Sequence, residues 1–167
     1  MHNAQYYVDK LKMNPHPEGG WYIETYRSPE TVLKAHLPTR FTGERNYSTA
    51  IYFLLESPQF SAFHRIKSDE LWHFYAGRPL NVYVIDLSGS LEVMKLGADL
   101  DNGETFQTVV KAGCWFASRP AEQNSFSLVA CTVAPGFDFA DFELAKGEEL
   151  TKKFPQHKDL IQQLCRI

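Results

Sequence analysis

Between residues 48 and 134 the chain is a succession of short β-prone runs, each closed by a turn signal before the next begins. Residues 48–55 end at Ser57-Pro58, 60–66 lead into Lys67-Ser68-Asp69, and 71–76 lead into Gly77-Arg78-Pro79. Residues 80–87 and 91–96 flank Ser88-Gly89-Ser90, a hairpin signal, and Asp101-Asn102-Gly103 supplies the next turn. Residues 106–110, 114–118 and 126–134 complete the series, closed by Pro135-Gly136. An earlier strand over 21–27 precedes a polar loop over 28–45. Helical spacing is confined to the ends. Tyr7, Val8 and Leu11 share a helix face behind Asn3, a capping residue, and the stretch from Asn14 to Gly20 stops that helix. Helices over 146–154 and 156–164 close the chain, with Leu160, Ile161 and Leu164 on one face. No repeat, low-complexity tract or linker divides the pattern. It predicts an all-β sandwich or barrel with short N- and C-terminal helices, one domain over residues 1–167.

Composition narrows the function classes. An aromatic share of 14% favours pleated, half-buried surfaces, in keeping with strands. The formal charge is −3 and the longest basic cluster is Lys152-Lys153, so no nucleic-acid partner is expected. No window approaches the apolar length of a membrane span, and the N-terminus lacks the pattern of a signal peptide. Cys114, Cys131 and Cys165 are odd in number and lack metal-type spacing, which fits free thiols and a cytoplasmic protein.

Chemistry concentrates in residues 63–77, where two strands meet at a polar turn. Alternation puts Ala62, His64 and Ile66 on one face and Phe63 and Arg65 on the other. Glu70 begins the next strand and is expected beside His64 across the strand pair. Trp72 and Phe74 share its face, whereas His73 and Tyr75 point away unless a bulge intervenes. A His and a Glu on the inner face of a small barrel are costly unless paired, hydrated or used. Two readings stand side by side: a functional pocket, or a hydrogen-bonded pair that fixes register.

The same stretch resembles the first cupin motif, Gly, five residues, His-x-His, three or four residues, Glu, six residues, Gly. His64 takes the place of the first His, Glu70 and Gly77 keep the six-residue interval, and Ile66 stands where the second His would be. Lys111-Ala112-Gly113-Cys114-Trp115-Phe116 resembles the start of the second motif, with Phe116 at the remaining His position. His16-Pro17-Glu18-Gly19-Gly20-Trp21-Tyr22, Thr49 to Leu55, Ser68-Asp69-Glu70-Leu71-Trp72-His73 and Val133-Ala134-Pro135-Gly136-Phe137 are similar to the cupin-five domain family over nearly the whole chain. The resemblance implies a double-stranded β-helix, the cupin jelly roll, usually a homodimer, structurally similar to dTDP-sugar epimerases that work without metal.

Three chemistries follow for the pocket. A metal centre would need a third protein ligand, and His73 could join His64 and Glu70 only if turned inward. Metal-free acid–base chemistry would use His64 as base, oriented by Glu70, with Tyr26 or Tyr75 as acid. A binding module would use the apolar Trp72, Trp115 and Phe116, with Arg27, Arg65 or Arg119 anchoring a carboxylate or phosphate. The leading expectation is a small-molecule pocket without cofactor, a metal-independent isomerase or epimerase of a sugar- or carbonyl-type substrate. The alternatives are a divalent-metal enzyme on His64, Glu70 and His73, or a non-catalytic binding protein. Glu18 is expected at the pocket or in a tight turn with Gly19 and Gly20. Asp138, Asp141 and Glu143 alternate with Phe137, Phe139 and Phe142, a pattern that predicts packing against a helix, with the aromatic side as core or dimer interface. Cys114 and Cys131 fall in predicted strands, where a thiol is inert.

Overall fold

A computed structural model describes residues 2–17 and 19–166, so the expectation for Glu18 lies outside the described residues. Helix α1 (Ala4–Leu11) is capped as predicted, Asn3 Oδ1 accepting from the Tyr6 amide at 3.0 Å. There follow β1 (Asn14–Pro15), β2 (Trp21–Arg27), a small ribbon of β3 (Thr31–Val32) and β4 (Arg45–Asn46), and β5 (Thr49–Glu56). The ribbon lies within the stretch expected to be a plain loop. Next come β6 (Ser61–Arg65), β7 (Asp69–Gly77), β8 (Leu80–Ile85), β9 (Leu91–Leu96), β10 (Gln107–Val110), β11 (Trp115–Pro120) and β12 (Phe126–Ala134). Strand β13 (Glu143–Leu144) and helices α2 (Gly147–Lys153) and α3 (Lys158–Leu164) follow. Among the described residues no helix is long and apolar enough to cross a membrane.

The strands assemble into a six-stranded sheet, β1-β2-β5-β12-β7-β10, and a five-stranded sheet, β13-β6-β11-β8-β9, both antiparallel. This is the jelly-roll arrangement, and its inner faces enclose the main core. Phe53, Leu55, Trp72, Val129 and Cys131 of one sheet meet Leu80, Val82, Val84 and Phe116 of the other. Alternation sends the neighbouring residues outward. Leu54 and Leu128 lie under Ala4 and Val8 of α1, while Phe63, Tyr83 and Trp115 lie under Leu150, Ile161 and Leu164 of the C-terminal helices.

Consecutive strands do not always pair. Strands β6 and β7 belong to opposite sheets, because Ile66-Lys67-Ser68 carries the chain across the barrel. His64 and Glu70 are therefore not side by side across a hairpin, as the sequence led us to expect. Each approaches the interior from its own sheet.

Residues 137–142 form a strap after β12, and the strap is fastened by a buried ion pair. Arg45 Nε and Nη2 each donate to Asp141 at 2.6 Å, with side chains only 5% and 3% exposed. This pair fixes the strap against β4; Phe137 and Phe142 pack on the core between the sheets, as expected of the aromatic side, and not on a helix, while Phe139 lies at the cavity rim, 61% exposed. Removing one partner of such a pair strands a buried charge. Asp141→Asn should lower the unfolding free energy by about 3 kcal/mol in urea titration, and Arg45→Met with Asp141→Leu should recover most of it.

Candidate functional site

A cavity of about 530 Å³ opens between the sheets. Its walls come from β2 and β5 on one side, β6 and β7 deeper in, β12 behind, and the strap at the rim. The polar side chains are His16, Glu24, Arg27, Thr49, Ser61, His64, Glu70, Cys131 and Asp138, set among aromatic and aliphatic ones.

A bulge in β2 decides which of its residues enter. Glu24 pairs with Ile51 and Tyr26 with Ala50, leaving Thr25 extra. Alternation is reset there, so Glu24 and Arg27 both line the cavity while Tyr26 turns outward, 52% exposed. Arg27 is held in place: Nε and Nη2 donate to Glu24 at 3.0 and 2.7 Å, and Nη1 donates to Asn46 Oδ1 at 2.8 Å and the Phe137 carbonyl at 3.1 Å.

Deeper in, His64 is 6% exposed. Its Nδ1 donates to the Ala62 carbonyl at 2.7 Å, which makes Nε2 the lone-pair nitrogen of the neutral ring. The ring lies 4.0 Å from Phe116 and 5.4 Å from Phe142, centroid to centroid. Burial holds its pKa below the ordinary value, partly opposed by the Ala62 bond and by the negative charge of Glu70. His16 sits nearby, edge-on to Tyr22 at 4.8 Å and Phe53 at 5.4 Å. Burial, and then the charge His64 would carry, lower its pKa to about 4. Its position is set by the tight turn before β2: the His16 amide donates to the Gly20 carbonyl at 2.9 Å. Gly20 has φ +79° and lies against the Leu54 carbonyl, where a side chain would collide.

Of the residues singled out from sequence, His64, Glu70, Trp72 and Arg27 meet at the cavity. Phe116 is buried behind the His64 ring as part of the core. The others lie elsewhere. Tyr75 is the extra residue of a second bulge, opposite Leu128 and Val129, and rests on Tyr52 on the outer face, 56% exposed. Arg65 pairs with Glu143 and stacks over Trp115, whose ring belongs to the outer cluster under the helices. Arg119 joins Tyr83 and Gln163 in that same layer.

His73 also faces outward, since the Tyr75 bulge falls beyond it. Its ring accepts from the Gln107 amide at Nδ1 and donates to Thr132 Oγ1 from Nε2, at 3.0 and 3.2 Å. His64, Glu70 and His73 thus do not form a donor set. Among the described residues no three His, Cys, Asp or Glu side chains converge in a way that fits a metal.

The sequence did not assign His16, Tyr22, Glu24 or Ser61 to the pocket, and it read Asp138 as part of a packing pattern. His16 sits in a Pro- and Gly-rich stretch that reads as a helix stop, a tight turn and a family motif, none of which points its ring inward. Glu24 and Tyr22 are spaced for one strand face and could have been grouped with the pocket.

Two facing antiparallel sheets around such a cavity define a jelly-roll protein of the cupin class. The chain belongs to the family described as Cupin superfamily (DUF985), which matches residues 5–145. It is 35% identical over 161 residues to the Saccharomyces cerevisiae protein YML079W, itself uncharacterised, covering 90% of this chain and 79% of that one. The crystal structure of protein SO0799 from Shewanella oneidensis matches with TM-score 0.88 and 43% identity over 99% of both chains. A hypothetical protein from Leishmania major matches at 0.89 and 34%, over 99% of this chain and 100% of that one. Oxalate decarboxylase from Bacillus subtilis, 16% identical with TM-score 0.54 over 90% of this chain and 36% of that one, shares the fold alone.

Both imidazoles bind protons less readily in the fold than in the unfolded chain, whose His pKa is near 6.5. The unfolded chain therefore binds more protons, and stability falls as pH drops below about 6.5. For His16 the loss continues down to about pH 4. His16→Asn should flatten this acid limb in urea titrations at stepped pH, and an unchanged slope would remove His16 from the account.

Proposed function

We propose that the protein binds a small molecule in the barrel cavity and moves a proton next to a carbonyl group without a metal, as isomerases and epimerases of sugar- or carbonyl-type substrates do. The observation that carries this reading is the Nδ1–H bond of His64 to the Ala62 carbonyl inside a largely apolar cavity. It fixes one tautomer, and burial keeps the ring uncharged near neutral pH, as a general base must be.

Nε2 takes the proton from the carbon beside the carbonyl, and the C–H electron pair moves to form the enol while the carbonyl oxygen gains a proton. Tyr22, which lines the same cavity, takes the acid role expected of Tyr26 or Tyr75. The charge of Glu70 favours the imidazolium formed in that step. Return of the proton from Nε2 to the neighbouring carbon, with Tyr22 regaining a proton from the hydroxyl that becomes the new carbonyl, gives an isomer. An epimer forms when the enol turns over in the cavity before Nε2 returns the proton and the enol O–H gives its proton back to Tyr22. A pocket of about 530 Å³ that sets polar groups among aromatic walls has the size and character of a metabolite site.

The test is substrate-independent. Carbonyl compounds and sugars are incubated with the protein in heavy water, and solvent deuterium uptake is read by mass. Wild type should label at least one compound that also raises its melting temperature, and His64→Ala should slow labelling about 100-fold or more. Binding without labelling by wild type would make the protein a non-catalytic binder, and full labelling by His64→Ala would remove His64 as base.

A further inference from the structure

We infer that the cavity selects by charge: it takes a ring-bearing carbonyl compound that is neutral or cationic and rejects phosphates, nucleotides and carboxylates. The inference rests on the reading of the cavity as a small-molecule site and names the class of ligand.

The charged side chains lining the cavity are three carboxylates, Glu24, Glu70 and Asp138, against one guanidinium, Arg27. That guanidinium is already engaged. Four of its five N–H groups are committed, two to Glu24 and two to Asn46 and Phe137. An anion could take a two-point grip on it only by breaking the bonds to Glu24, and would then sit among the displaced carboxylate and Asp138. Arg65 and Arg119, the other anchors considered for a phosphate, lie outside the cavity. His16 and His64 add no compensating charge, since burial keeps both neutral above acidic pH.

What the walls do offer is neutral recognition. Tyr22 and Thr49 bring uncharged hydroxyl groups to the lining, and a carbonyl oxygen or hydroxyl of a neutral ligand can pair with such groups without a counter-charge. Phe53, Phe137, Phe139 and Phe142 present ring surfaces to the same space. Such walls suit a planar ring, and they also suit a cation.

The experiment uses the full chain at low ionic strength and a set of ring compounds in matched amide, amidine and carboxylate forms. Thymidine and thymidine diphosphate are added as a further pair. Binding is followed through the NMR signals of the His64 and His16 rings. Amides or amidines should bind at least tenfold tighter than their carboxylates, and thymidine tighter than its diphosphate. In Glu24→Gln, which releases Arg27, the carboxylates should gain roughly tenfold. Carboxylates or nucleotides that match or exceed the neutral forms in wild type, or show no gain in Glu24→Gln, would overturn the charge selection and leave the pocket reading intact. A set in which no form disturbs the His64 ring would overturn both.

Discussion

The buried Arg45–Asp141 pair is the constraint on which the shape of the site depends. Two sheets alone would enclose a core open at one end of the barrel. The strap over residues 137–142 supplies the wall that end lacks, and its Phe137 and Phe142 pack on the core between the sheets. Two charge-assisted bonds of 2.6 Å to an arginine that is itself buried give the strap a fixed address. Asp141 also receives Lys67 at 3.4 Å, from the segment that crosses between the sheets. One carboxylate thus ties together the ribbon strand β4, the crossover and the cavity rim. The cost of desolvating these charges is met within the cluster, so the cavity itself need not supply their counter-charge.

Within that frame, burial governs the chemistry of the imidazoles. A charged His64 would sit against Phe116 and Phe142, which offer a protonated ring little solvation. Glu70 pulls in the opposite direction but is not the first cause, and the neutral form wins. His64 in turn lowers the proton affinity of His16, because two neighbouring rings cannot both become cationic cheaply. The Ala62 carbonyl then selects the tautomer. The backbone bond thus contributes to orientation from within His64's own strand, while Glu70 acts on the ring through its charge.

Much of the fold was legible because strand alternation and turn chemistry are local. The outward face of His73 and the inward face of Trp72 follow from period two alone, and the structure keeps both. Asn3 as a cap and Gly20 as a residue in a tight turn are equally local statements. The site was legible only in part, because bulges and sheet membership are not local. A single extra residue at Thr25 exchanges Tyr26 for Arg27 at the cavity, and nothing in Ile23-Glu24-Thr25-Tyr26-Arg27 marks Thr25 as the odd one. The crossover at Ile66-Lys67-Ser68 reads like any hairpin turn, yet it separates His64 and Glu70 into different sheets. Such choices are made by long-range pairing, which a strand's own pattern does not record.

The positions where cupin motifs place further histidines still converge here, and that convergence explains the character of the cavity. Ile66 lines it, and Phe116 pairs in register with His64 and packs on its ring. The fold has kept the geometry that brings those side chains together and has replaced nitrogen with carbon. Replacing two ligand positions by apolar groups does more than remove donors. It dries the surroundings of the surviving imidazole and lowers its proton affinity. It also leaves His64 to bond its own strand's carbonyl. What remains at His64 is a neutral imidazole held by its own strand, and the same apolar side chains that take the place of ligands are the ones that keep it neutral.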